Sequence, residues 1–149
     1  MRRRSVALVV RNDRILLVKM RAFEREFYAL PGGGIEDGES AGEAAVRELK
    51  EECGVDGRAV KELNTVHCRN GDVEYCFLIE LDDGQEISLG GDPEYSEDEQ
   101  ILKEVCWKRL DEISEKDRAF LWAYGLMEAD NSFVDEVISW GDDISYPNK

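Results

Sequence analysis

Residues 32–55 read GGGIEDGESAGEAAVRELKEECGV, and this stretch decides the fold. From Gly33 it follows the spacing G-x5-E-x7-R-E-U-x-E-E-x-G-U, where U is aliphatic. Glu39, Arg47, Glu48, Glu51, Glu52 and Gly54 hold the fixed positions, and Leu49 and Val55 the aliphatic ones. Ser40 to Cys53 lacks Pro and is rich in Ala, Glu, Leu and Arg, which favours helix. Ser40 suits the N-cap, with Glu43 three residues on as its capping-box partner. Gly54 suits the left-handed residue that ends a helix. On such a helix Glu48, Glu51 and Glu52 fall at i, i+3 and i+4 and share one face. Ala45, Val46, Leu49 and Cys53 form an adjacent apolar stripe that can pack on a sheet.

Three neighbouring carboxylates repel one another, and only Lys50 intervenes. A hard divalent cation relieves that repulsion. Mg²⁺ prefers oxygen ligands and commonly keeps waters and substrate phosphate oxygens in its shell. It neutralises a pyrophosphate, orients it and acidifies water for attack on phosphorus. The plain alternative is an acidic surface helix, with carboxylates scattered around it and no special loop ahead of it. Leu30-Pro31-Gly32-Gly33-Gly34 is such a loop. Its glycines permit positive φ and close backbone approach, and N–H groups near a helix start receive phosphate oxygens.

The pattern resembles the signature box of the Nudix hydrolases, which cleave nucleoside diphosphates linked to another group, and no position departs from it. The resemblance implies that Glu48, Glu51 and Glu52 are the catalytic, metal-binding carboxylates, joined in the metal set by Gly32. Glu48 or Glu52 would assist deprotonation of the attacking water. The metal implied is Mg²⁺ or Mn²⁺. Arg47 and Glu39 are implied to be a structural pair in which the Arg orients a catalytic Glu; as an ordinary surface pair they would be worth little. Gly33 and Gly54 are implied to be structural. Glu97 and Glu99, in YSEDEQ, are candidates for an extra carboxylate outside the box, with a solvated acidic loop as the alternative.

The chain of 149 residues suits one domain with a sizeable core. Its 42% hydrophobic content excludes wholesale disorder, and it has no apolar run long enough to span a membrane. Arg2, Arg3 and Arg4 precede an apolar stretch, Val6 to Val10, too short for a secretory segment; it reads as a charged terminus entering the first strand. A net charge of −15 disfavours nonspecific nucleic-acid or anionic-membrane binding. A polyphosphate would arrive against this field, so metal and a few local cations must offset it. Cys53, Cys68, Cys76 and Cys106 form no CxxC pair, and His67 is the only histidine, which argues against zinc. Reduced, buried thiols and a cytoplasmic setting are expected.

Ser5 to Val10 and Ile15 to Lys19 read as strands of a hairpin turning at Asn12-Asp13. Phe27 to Leu30 is extended. Arg58 to His67 and Glu74 to Leu81 are further strands, with Asn70-Gly71-Asp72 a type I′ hairpin signal between them. Asp82 to Glu99 is a long polar loop. Glu104 to Leu110 is the last strand, with Trp107 as a core anchor. Asp111-Glu112-Ile113 starts a helical turn. Lys116 to Glu128 has helical periodicity through Phe120, Leu121, Tyr124 and Met127. The order resembles the Nudix α/β/α sandwich on a mixed β-sheet, a single domain over residues 1–149. Residues 130–149 are an extension of the minimal domain. There Phe133, Val134, Val137, Ile138 and Trp140 can line an amphipathic helix that packs back on the domain; a homodimer contact or substrate lid is the sharper alternative.

The partner expected is a nucleoside polyphosphate-type small molecule. Arg21, with Lys19 and Arg25, is the candidate contact for its phosphates, although exposed basic residues are usually just solvated. Phe23, Phe27, Tyr28, Tyr75 and Phe77 are candidates for stacking on a base. Tyr75 and Phe77 share a strand face, but aromatics at such positions are more often core. Gly71 stands where many ADP-ribose hydrolases of the family carry a proline. The extra motifs of the NADH and coenzyme A enzymes are absent, and Tyr75 misses the diadenosine polyphosphate spacing. What remains resembles the MutT-like nucleoside triphosphate pyrophosphatases. The alternatives are a hydrolase of ADP-ribose, nucleotide sugars or diadenosine polyphosphates, or a nucleotide-sensing module without turnover. An EF-hand-like calcium protein is disfavoured, because the acidic loop lacks that ligand order.

Overall fold

The computed structural model describes residues 2–22, 24–90 and 101–140. The strands are β1 (Arg3–Leu8), β2 (Val10–Arg11), β3 (Arg14–Ala22), β4 (Arg25–Ala29), β5 (Gly32–Gly34), β6 (Gly57–His67), β7 (Val73–Leu81) and β8 (Ile101–Lys108). The helices are α1 (Ala41–Cys53), α2 (Glu115–Tyr124), α3 (Leu126–Ala129) and α4 (Ser132–Ser139), with one 3-10 turn at Leu110–Glu112. One four-stranded sheet has the order β5-β1-β7-β6 and is mixed: β1 and β7 run parallel and its other pairs antiparallel. The other centres on β3, which pairs antiparallel with β2, β4 and β8.

Helices cover both faces, making an α/β/α sandwich. Strand β3 reads RILLVKMRA, a nearly continuous apolar run, as expected of a strand buried on both sides. Ile15 and Leu17 enter one core with Leu121, Leu126 and Phe133. Leu16, Val18 and Met20 enter the other, beneath Ala45, Leu49 and Cys53 of α1. Helix α1 has the expected ends. Ser40 Oγ accepts from the Glu43 N–H at 3.1 Å, Glu43 Oε1 accepts from the Ser40 N–H at 2.9 Å, and Gly54 closes the helix at φ 73°. Ser88 and Gly90 N–H donate to the Cys53 and Glu52 carbonyls at 2.9 Å. The loop after β7 thereby caps carbonyls that a helix end leaves without partners.

Several expectations need correction. The first two strands are not hairpin partners: β1 and β3 lie in different sheets, and only Val10–Arg11 folds back on β3. The switch occurs at Val9, which is buried in the α1-side core and accepts from the Leu16 N–H at 3.0 Å. The turn between β6 and β7 is not type I′, which requires positive φ at both central residues. Positive φ is found at Gly71 but not at Asn70, whose Oδ1 instead accepts from the Asp72 N–H at 2.9 Å. Strand β8 begins at Ile101, before the expected start. Trp107 is only half-buried at the edge of the α1-side core, with the Arg11 guanidinium 4.6 Å over its ring. Gly125, at φ 103°, divides the expected Lys116–Glu128 helix into α2 and α3. Phe120 is 58% exposed and joins neither core.

The described part of the extension, residues 130–140, forms α4, with Phe133 buried and Val137 and Trp140 packed against the α2-side core. The Arg118 guanidinium lies 4.9 Å from the centre of the Trp140 ring. Val134 and Ile138 face outward. All four cysteines are free. Burial pushes the Cys76 thiol up to about 12 and that of Cys106 up to about 11, so neither is a ready nucleophile. Among the described residues, no helix is long and apolar enough to cross a membrane.

Candidate active site

The glycine turn and α1 meet face to face. Strand β5 pairs with β1 through Arg4–Gly34, Ser5–Gly33 and Val6–Gly32. A Cβ on Gly33 would sit 2.4 Å from Glu48 Oε1, and a Cβ on Gly32 would sit 2.3 Å from the Ser5 carbonyl oxygen. Gly32, Gly33 and Gly34 do not adopt the positive φ that glycine permits. Glycine is needed here for close approach instead. The Gly32 N–H donates to Glu52 Oε1 at 2.7 Å, so the carboxylate of α1 and the main chain of β5 hold each other.

The three box carboxylates are not equivalent. Glu48 and Glu52, one turn apart, are buried, whereas the Glu51 side chain is 40% exposed. Arg47 ties them to the loop. Its Nε donates to Glu39 Oε2 at 2.7 Å and its Nη2 to Glu39 Oε1 at 2.9 Å, a bidentate pair. Nη1 donates to Glu48 Oε1 at 2.9 Å and lies 3.3 Å from Glu51 Oε2; Nη2 also donates to the Gly34 carbonyl at 2.9 Å. Arg47 therefore fixes the loop and Glu48 at once.

Hydrogen bonding to Arg47 holds the Glu39 carboxyl below its usual 4.5. A carboxyl lowered in the folded state adds stability above its unfolded value, and this is lost as pH falls through the folded one. Urea midpoints of the wild type are therefore expected to drop below pH 4.5 more steeply than those of Glu39→Gln. Parallel curves would show that the pair contributes nothing.

The donor set suits a hard divalent ion: three carboxylates and a glycine main chain, without thiolate or imidazole. Among the described residues, no three acidic, His or Cys side chains converge as a ready-made cage.

A small cavity of about 80 Å³ opens beside Glu52 and Gly32. Arg4, Phe27, Ala29 and Leu30 line it and also line a larger cavity of about 200 Å³ on the α2 side. The two are neighbours with these four walls in common, a cleft lined by strands of both sheets, with Glu52 and Gly32 at the smaller cavity. Tyr28 lines the larger cavity. Its N–H donates to Asp117 Oδ2 at 3.1 Å, and Lys19 and Lys108 lie 5.9 and 5.7 Å from its ring centre.

The other substrate candidates lie elsewhere. Lys19 Nζ is 3.6 Å from Glu26 Oε1, Arg25 stacks on Phe27, and Arg21 is exposed. None of the three lines either cavity. Tyr75 lies under the Arg3 guanidinium, and Phe77 packs in the α1-side core. Phe23, Glu97 and Glu99 lie outside the described residues.

The cleft contains residues that sequence reasoning missed: Arg4, Glu74, Asp117 and Tyr124. Glu74 is one of two acids, with Glu80, in a largely apolar strand, which is a weak signal of a buried charge. Its partner Arg4 is legible only once β1 and β7 are known to pair in register.

A family model described as the NUDIX domain matches residues 1–129. The chain is 34% identical over 116 residues to a CMP-5'-(N-acetyl-N-hydroxy-3-aminopropyl)phosphonate hydrolase of Streptomyces rubellomurinus, covering 74% of this chain and 54% of that protein. It is 33% identical over 97 residues to an ADP-ribose pyrophosphatase of Methanocaldococcus jannaschii, covering 60% and 56% respectively. It thus spans little more than half the length of either relative. The crystal structure of a MutT NUDIX hydrolase from Burkholderia pseudomallei superposes with a TM-score of 0.63 at 27% identity, covering 82% of this chain and 96% of that one.

Proposed function

This chain belongs to the Nudix family, and from that premise we propose that it is a divalent-metal-dependent pyrophosphohydrolase acting on a nucleoside di- or triphosphate derivative. The observation that carries the reading is the pairing of buried Glu48 and Glu52 with a glycine strand too close to admit a Cβ, at the mouth of a cleft.

Nudix hydrolases generally need divalent cations. Glu48, Glu51 and Glu52, with the Gly32 main chain, are the residues that would hold Mg²⁺ or Mn²⁺. Such an ion supplies charge neutralisation on the phosphates and makes water more acidic. Arg47 keeps Glu48 in place and the glycine strand at its distance. Glu48 or Glu52 takes the proton of the water that attacks phosphorus. Tyr28 and the cleft behind it receive the nucleoside, leaving the diphosphate at the carboxylates.

Among substrates we favour nucleoside triphosphates, cleaved to a nucleoside monophosphate and pyrophosphate. The second reading is a hydrolase of ADP-ribose, nucleotide sugars or diadenosine polyphosphates, of which the first is favoured by a relative named for ADP-ribose. A cytoplasmic setting accords with four free thiols, two of them buried. The test is a hydrolysis panel with Mg²⁺: dGTP, 8-oxo-dGTP, ADP-ribose, diadenosine polyphosphates and a nucleotide sugar, scored by the phosphate species released. Monophosphate with pyrophosphate from the triphosphates is expected. Monophosphate only from the other substrates would shift the assignment to the second reading, and no cleavage of any would overturn it.

A further inference from the structure

Arg4 stands where the two cavities of the cleft meet. It is the one cation among the described residues that lines either of them, and it lines both. The sheet puts it there. Strand β1 lies between β5 and β7, and Arg4 is paired across them with Gly34 on one side and Glu74 on the other. The glycine strand that packs on Glu48 and Glu52 is therefore its immediate neighbour. The smaller cavity, about 80 Å³, has Glu52 and Gly32 in its wall; the larger, about 200 Å³, has Tyr28, Leu17 and Leu121.

Only part of the guanidinium is engaged. Nη1 donates to Glu74 Oε2 at 2.9 Å. Glu74 is 8% exposed, and its other oxygen, Oε1, receives the Tyr124 hydroxyl and, weakly at 3.8 Å, the Cys68 thiol. Burial pushes the Tyr124 phenol far above its usual value, so it stays protonated and donating. Glu74 is thus a buried charge that is both paired and hydrogen-bonded, and it holds Arg4 from behind. Nε and Nη2 form the other edge of the guanidinium, the same edge that Arg47 presents to Glu39. On Arg4 this edge has no acceptor among the described residues. Nε is buried without a partner, whereas Nη2 makes no hydrogen bond and is not buried. The side chain as a whole is 27% exposed. Such a charged, two-pronged edge matches two oxygens of a phosphate. The chain has 34 acidic residues, yet none of the described ones has taken it.

We propose that Arg4, held by Glu74, grips the phosphate nearest the nucleoside through its Nε–Nη2 edge. The proposal rests on the hydrolase reading for the ligand's course along the cleft. A ring in the larger cavity and a diphosphate at the box carboxylates have Arg4 between them, so the first phosphate after the sugar meets it. Phosphates further along belong to the carboxylates and their cation. Arg4 therefore binds the monophosphate product and takes no part in binding pyrophosphate. It fills the role that the sequence suggested for Lys19, Arg21 and Arg25, none of which lines either cavity.

The experiment is calorimetry of the intact protein with Mg²⁺. The titrants are AMP, GMP, CMP and UMP, the four matching nucleosides, and inorganic pyrophosphate, none of which contains a nucleoside diphosphate. The best-bound monophosphate is expected to bind about 10- to 100-fold more tightly than its own nucleoside, the worth of a hydrogen bond to a charged group. Removing Arg4 alone would strand the buried Glu74, so Arg4→Gln is combined with Glu74→Gln. Arg4→Lys is the second variant, which keeps the charge beside Glu74 but not the fork. The double variant is expected to lose the whole advantage of the monophosphate and Arg4→Lys part of it, while nucleoside and pyrophosphate bind as in the wild type. Equal affinity for monophosphate and nucleoside in the wild type, or no binding of any monophosphate, overturns the proposal without recourse to any variant. So do variants that keep the wild-type ratio, or a loss that falls as heavily on pyrophosphate. Cleavage of nucleoside diphosphates by a protein whose double variant keeps the ratio sinks this assignment alone. Monophosphate binding through Arg4 in a protein that cleaves nothing sinks the hydrolase reading alone.

Discussion

Glu52→Gln is expected to lower kcat on the cleaved nucleotide on the order of 10³-fold, about 4 kcal/mol of transition-state stabilisation, with little change in the unfolding transition. The substitution separates charge from structure. Glu52 Oε1 accepts from the Gly32 N–H at 2.7 Å, and a glutamine carbonyl oxygen can accept the same bond at the same place. What is lost is one negative charge from a trio whose proposed work is to hold a cation. Glu51→Gln is the companion variant, because Glu51 is half-exposed and makes only long contacts to Arg47. Steady-state kinetics with Mg²⁺, alongside urea unfolding, checks both. Wild-type turnover in either variant would remove that residue from the catalytic set, and wild-type turnover in both would end the metal reading of the helix.

Two neighbouring glycines are expected to fail in different ways. In Gly33→Ala the new methyl meets the Glu48 carboxylate, with Oε1 at 2.4 Å and Cδ at 2.5 Å. Glu48 is fully buried and held by Arg47 at 2.9 Å, so it can yield only by turning out of position. A displacement of this order costs about 100-fold in turnover while the sheet stays intact. In Gly32→Ala the methyl meets main chain, with the Ser5 oxygen at 2.3 Å and Val6 Cα at 2.8 Å. Main chain cannot step aside without parting β5 from β1, so the loss falls on stability, about 3 kcal/mol or more. Paired kinetics and urea titrations read the contrast. A Gly33→Ala enzyme with normal turnover would show that Glu48 need not stay where Arg47 and the strand hold it.

Features written in neighbouring residues were legible from the sequence. The capping box at Ser40 and Glu43, the left-handed end at Gly54 and the Arg47–Glu39 pair all lie within one helix and its entry loop, and all are found as read. The packing of Phe133 and Val137 on the domain follows the same local logic. Pairings that join distant segments were not legible. Nothing near Val9 tells that β1 leaves its neighbour for β7, so a hairpin was the natural reading of the first two strands. Gly125 sits inside a helical period, and only its close packing on Leu63 and Asn64 shows why the chain breaks there. The strand alternation correctly put Tyr75 and Phe77 on one face, but the cleft lies on the other, with Glu74. Arg4, Glu74 and Tyr124 come from three separate segments and become one cluster only in the fold.

The central claim is that Glu48, Glu51 and Glu52 form a divalent-cation site, and direct titration of the purified protein with Mg²⁺ and Mn²⁺, followed by calorimetry with and without bound nucleotide, tests it most closely. Saturable uptake that raises the melting temperature by linkage, and that is weakened by Glu52→Gln, is the predicted result. A folded protein that takes up neither ion under either condition would contradict the account.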